Sequence, residues 1–167
     1  MSKKRISFLK DNEMEKIFPE YYPENLLECI IEDGAGENII GNVYRIANYG
    51  ENNRDAFLGS FLTDIKDGKY NDRDLTLAKT LVQKDIGKYS TSLYDDEEKA
   101  KKTLAMLEER YGGPILLKGT ILPEFGLSMY TKCSKSKRSG NKHHIDWWLY
   151  KDADPSPHFE KMIIDEA

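Results

Sequence analysis

The sequence predicts a single α+β domain, a mostly antiparallel sheet with helices packed on it. Three observations carry that prediction. The run from Tyr89 to Leu122 reads as a short strand, a capped amphipathic helix and a second, more apolar strand. Two more strand-like segments follow, Leu127 to Thr131 and His143 to Tyr150, with turn and loop residues between them. And 167 residues with 39% apolar and 32% charged side chains suit one domain that buries a core, being too apolar for a disordered chain.

Taken in order, Met1 to Lys10 is a basic lead expected to fray. Phe18, Tyr21 and Tyr22 lie among Pro19 and Pro23 and read as an aromatic loop. Pro23 to Ile31 fits a short helix with Leu26, Leu27, Ile30 and Ile31 on its apolar side, broken by the glycines after Asp33. From Asn42 to Ala47 the alternation fits a strand, with Val43, Arg45 and Ala47 on one side and Tyr44 and Ile46 on the other. Asp55 to Asp64 fits a capped helix that Gly59 weakens by about 1 kcal/mol relative to alanine. Leu75 to Val82 is apolar enough for either helix or strand, and its periodicity favours neither.

The helix from Asp95 to Tyr111 is the best specified element. Asp95 and Glu98 have capping-box spacing. Ala100, Leu104, Leu107 and Tyr111 share one face, and Glu97–Lys101 and Glu98–Lys102 form i,i+4 pairs. Gly112 and Pro114 end it. Ile115 to Leu122 and Leu127 to Thr131 flank a Pro123–Gly126 turn and are expected to pair as a hairpin. Lys132 to Lys142 has no apolar anchor and reads as a mobile loop. His143 to Tyr150 is the last strand, and His158 to Ala167 is left as a docked helix or a loose tail.

Composition narrows the function classes. No apolar run approaches the roughly 20 residues that span a bilayer, so no membrane partner is expected. Two cysteines, Cys29 and Cys133, make no disulfide framework and point to a reducing, cytoplasmic setting. The net charge of −4 is unevenly spread. Asp11 to Glu37 holds nine acidic side chains and one lysine, whereas Lys132 to Lys142 holds five basic ones and no acid. Such polarity steers partners or lets the two surfaces meet within the fold.

Arg45 on a predicted strand, the triplet Ser90-Thr91-Ser92 on a second, and a closing set of strands resemble the ADP-ribosyltransferases of the Arg, Ser-Thr-Ser, Glu-x-Glu class. The resemblance implies an NAD pocket. Arg45 would grip the pyrophosphate, Ser90 would order the site, and Thr91 and Ser92 would complete the cofactor-binding triplet. In that class a glutamate holds the ribose 2′-hydroxyl and stabilises the oxocarbenium ion. No Glu-x-Glu occurs after Ser92; the triplet Glu13-Met14-Glu15 lies upstream, and Asp146 or Glu124 would have to stand in. We take Asp146 as the catalytic candidate beside Arg45 and Ser90.

A separate constellation is the basic loop. Lys135, Lys137, Arg138 and Lys142, with Lys132, are placed to contact phosphates or an acidic partner, with Trp147, Trp148 or Tyr130 as stacking surfaces. His143 and His144 are adjacent on a strand and so face opposite ways, which argues against a shared metal; Asp146 lies on the His144 side and is expected to hydrogen-bond it. Cys133 lacks an orienting group for nucleophilic work. With no complete catalytic set, the leading expectation is a non-catalytic binding protein that needs no cofactor, such as an immunity, inhibitor or accessory factor whose partner is another protein. The alternatives are an ADP-ribosyltransferase-like protein, active or degenerate, with NAD, and a nucleic-acid binder acting through the loop.

Overall fold

Six strands build one antiparallel sheet among residues 17–69, 83–138 and 140–164, which the computed structural model describes. They are β1 (Ile40–Ala47), β2 (Thr91–Tyr94), β3 (Ile115–Ile121), β4 (Gly126–Tyr130), β5 (His144–Leu149) and β6 (Phe159–Lys161), in the order β4-β5-β2-β1-β3-β6. Three α-helices accompany them among the described residues: α1 (Leu26–Asp33), α2 (Ser60–Lys66) and α3 (Glu97–Tyr111). The α+β class with an antiparallel sheet is therefore as the sequence predicts. The expectations for Met1 to Lys10 and Leu75 to Val82 fall outside the described residues.

The sheet curls strongly. Trp147 on β5 and Phe159 on β6 lie four strands apart, which at a spacing of about 4.8 Å is roughly 19 Å in a flat sheet. Their ring centroids are 6.3 Å apart. The concave face so formed closes on Val43, Ala47, Leu93, Leu117, Ile121, Ile145, Trp147 and Phe159. On the convex face, α3 packs Ala100 and Leu104 against Tyr44, Ile46 and Leu116. Further along that face, α1 and the 3-10 turn Gln83–Tyr89 cover Leu127, Met129 and Trp148. Alternation along each strand, which sends successive side chains to opposite faces, sorts the core into these layers.

Curling also overturns the expected hairpin. β3 pairs with β1 and β6, while β4 pairs with β5 at the far edge. The short turn between β3 and β4 spans the closing mouth of the curl, with Phe125 stacked near Trp147 at 6.4 Å and His158 at 5.4 Å. The tail is corrected too: Phe159–Lys161 is an edge strand whose Phe159 lies opposite Gly119, where a side chain would collide with its ring. The backbone continues the ladder through Met162 N to Leu116 O at 2.8 Å.

The expected helix Asp55 to Asp64 is two pieces, a 3-10 turn Arg54–Phe57 and α2. Asn53 caps the first by accepting from Ala56 N, the role expected of Asp55. The break has a topological cause. Phe57 packs on Trp147 and Phe159 in the concave core, whereas Phe61 packs on Tyr22 and Tyr89 on the convex side. Between them the chain crosses the sheet, and a Cβ on Gly59 would run into the Ser90 carbonyl. Only glycine allows that approach.

α3 runs as predicted, but Asp96 is its cap, accepting from Lys99 N at 2.9 Å. Asp95 is held instead by His143 Nδ1 (2.7 Å) and Tyr130 OH (2.9 Å), so the capping box does not form. Lys101 takes both Glu97 and Glu98, at 3.7 and 3.8 Å, in place of the Glu98–Lys102 pair. Gly112 ends the helix at positive φ. Ala100 and Leu104 are buried and Leu107 half-buried, a narrower stripe than the spacing suggests. α1 begins three residues later than expected and ends at Gly34, whose N–H bonds to the Ile30 and Ile31 carbonyls.

Candidate functional site

β1 pairs with β3 from Ile40 to Ala47 but meets β2 at one register position, Tyr44 opposite Tyr94. Beyond it the two strands fork, and the crossing segment 56–59 fills the gap. Arg45 holds the fork together. Its Nε donates to Ala56 O (2.8 Å), Nη1 to Ser92 O (2.9 Å) and Nη2 to Leu58 O (2.9 Å). Thr91 Oγ1 donates to Phe57 O at 2.6 Å. The guanidinium thus replaces ladder hydrogen bonds that the diverging strands lack. Burial lowers its pKa to about 10, still far above neutrality.

Beside this fork lies a cleft of about 320 Å³ between α2 and α3, lined by Arg45, Ser92 and Tyr94 from the strands, Ser60 and Thr63 from α2, and Thr103, Leu107 and Arg110 from α3. Of the hydroxyl triplet, Ser92 lines it; Ser90 and Thr91 do not.

Ser90 belongs to a second, buried constellation. Its Oγ donates to Asp146 Oδ1 at 2.7 Å across the β2–β5 pair. Asp146 Oδ2 accepts from Thr131 Oγ1 and from Arg138 Nη2, both at 2.8 Å. Arg138 Nε also reaches Asp33 Oδ2 (3.4 Å) and Ser134 Oγ (3.2 Å). Asp33, at the end of α1, accepts from Ser134 Oγ (2.5 Å) and Ser136 N (2.7 Å). Burial alone would raise the Asp33 pKa, but these hydrogen bonds and the Arg138 charge hold it below the usual carboxylate range.

Several expectations change here. The Lys132 to Lys142 segment does have an anchor, a buried guanidinium on two carboxylates, and so is tied to α1 and β5. Lys135, Lys137 and Lys142 remain exposed, while Arg138 is spent inside. Trp147 and Trp148 are fully buried and present no stacking surface. Tyr130 is half-buried beneath Lys132 at 4.9 Å, its pKa pushed up to about 12 by burial and by Asp95. His144 meets Asp146 through Thr131 rather than directly, and burial, with the Arg138 and Arg45 charges, lowers its pKa. Glu124 is exposed on the β3–β4 turn. Ser90 lies just before β2 rather than on it, because the 3-10 turn runs to Tyr89 and the strand begins only at Thr91, and Arg45 and Ser90 belong to different networks.

Asp33, Ser134 and Ser136 escaped the sequence reading because their significance depends on a contact across about a hundred positions. The acidic run and the basic loop do carry one faint signal, their opposite charge, and Asp33 with Arg138 realises it. No group of three or more His, Cys, Asp or Glu among the described residues is arranged to hold a metal ion, and no described helix is long and apolar enough to cross a membrane. Comparison with family models, with curated proteins and with solved structures finds no match, so the site is read from its own geometry.

Proposed function

We propose that this protein works by binding another protein rather than by transforming a substrate, in the manner of an immunity, inhibitor or accessory factor. One observation carries the reading: the groups with catalytic potential are already bonded within the fold. Arg45 spends three donors on backbone carbonyls, Ser90 is bound to Asp146, and Asp146 is neutralised by Arg138. A carboxylate engaged in this way has no charge to offer a developing oxocarbenium ion. The surface suits a partner instead. Lys135, Lys137 and Lys142 are exposed on a loop that Arg138 pins, and Glu20, Glu24 and Glu32 are exposed around α1. Charges on a pinned scaffold steer association and lose little entropy on docking.

The test pairs two measurements. Purified protein incubated with NAD should release no nicotinamide above buffer. Calorimetry against products of neighbouring genes should find a complex whose association slows with salt and weakens at least tenfold in Lys135→Glu/Lys137→Glu. Nicotinamide release abolished by Asp146→Asn would reverse the conclusion in favour of the ADP-ribosyltransferase-like reading. Salt-dependent binding of single-stranded nucleic acid, lost in the same lysine variant, would favour the loop as a nucleic-acid site.

A further inference from the structure

The fork leaves a feature that protein contact does not use. Asn48, Ser60, Thr63, Ser92 and Tyr94 all line the cleft between α2 and α3, and among the described residues none has a hydrogen-bond partner for its side chain. The hydroxyls of Ser90, Thr91, Thr131 and Ser134 are buried and bonded, whereas these five groups are half-buried or exposed and open to the cleft. Five unpaired polar groups converging on one concavity therefore mark a place built for polar contact from outside. Its volume of about 320 Å³ lies at the small end of ligand pockets, roughly 300–1,000 Å³.

The charge in the cleft sets the ligand's sign. Arg45, Lys69 and Arg110 line it against a single carboxylate, Asp64, which Lys69 bridges at 3.1 Å. Arg45 has no carboxylate partner among the described residues. Three of its five N–H groups are spent on carbonyls, leaving two. A half-buried guanidinium without a counter-ion among the described residues favours an anion nearby. Several hydroxyl and amide donors beside excess positive charge match the many acceptor positions of a phosphate group.

We propose that this cleft binds a phosphorylated small molecule of sugar-phosphate or mononucleotide size, held by Ser92, Thr63, Asn48 and Arg110, with Arg45 supplying positive potential from the floor. The site holds its ligand without cleaving it, and the inference does not depend on the protein-contact reading.

Thermal melts and calorimetry at constant ionic strength test it with three probes: inorganic phosphate, ribose 5-phosphate and AMP, with chloride as the control. At least one should raise the melting temperature saturably, as a ligand selective for the folded state must. Ser92→Ala/Thr63→Val and Arg110→Ala should each weaken that binding tenfold or more while the ligand-free melt moves little, since these side chains hold no hydrogen bond among the described residues and Arg110 makes only a surface contact over the Tyr111 ring. Arg45 is left intact because its loss would open the fork. No saturable shift with any probe, or a shift that survives both variants, overturns the proposal.

Discussion

Replacing Arg138 by methionine would strand two carboxylates in the interior. Asp33 and Asp146 are 0% and 2% exposed in their side chains, and Arg138 itself 8%, so water cannot take over the lost contacts. The guanidinium makes one close bond at 2.8 Å to Asp146 and longer ones to Asp33 and Ser134. Removing one member of such a buried set costs about 3–5 kcal/mol, because the remaining charges lose compensation while staying desolvated. For a chain of this size each kcal/mol lowers Tm by about 2–4 °C, so the melt should fall by roughly 6–20 °C at pH 7. Urea unfolding should show the same loss as a shift in midpoint with little change in slope. Adding Asp146→Asn removes one stranded charge and should recover part of it, a non-additivity that a double-mutant cycle measures. Arg138→Lys should recover little, since one ammonium cannot reproduce the planar fork between two carboxylates. A loss below about 1 kcal/mol, the worth of an exposed ion pair, would refute the reasoning.

Three further predictions concern the fold. Gly59→Ala should destabilise by about 1–3 kcal/mol, read by urea melts, because the new methyl presses on the Ser90 backbone where the chain crosses the sheet. Leu104→Ala should cost about 2–5 kcal/mol and Leu107→Ala distinctly less, since Leu104 is 4% exposed and Leu107 only half-buried; equal losses would contradict the placement of α3. Stability should decline in two stages on acidification. His144 has a lowered folded pKa, so the unfolded chain takes up its proton first and stability drops as pH falls below about 6.5, levelling once the folded histidine protonates. Asp33 also has a lowered folded pKa, so its contribution is intact above about pH 3.9 and is lost as pH falls through the folded value. Melts of His144→Gln lacking the first stage, with the second retained, would bear this out.

Local pattern made much of this fold readable. Apolar alternation identified β1, β3, β4 and β5 to within a residue or two, and helical spacing with Gly112 identified α3, because these signals lie within one turn or one pleat. Where neighbouring residues compete, pattern was less informative: Asp95 and Asp96 are equivalent as caps until His143 and Tyr130 claim Asp95. A three-residue edge strand such as Phe159–Lys161 carries too short a period to stand out, and its place is set by the gap over Gly119.

The site divides in the same way. Arg45, Ser90 and Asp146 could be singled out in the chain as chemically capable groups on strands, and the opposed charges of the acidic run and the basic loop were visible as composition. Tertiary structure alone decided what each does. A curled sheet that forks at Tyr44 and Tyr94 turns Arg45 into a clasp for three carbonyls, and it sends Ser90 and Asp146 into a network closed by Arg138 and Asp33. The reason is physical: a buried charge or hydroxyl is committed by whichever partner desolvation leaves within reach, and that partner comes from distant parts of the chain.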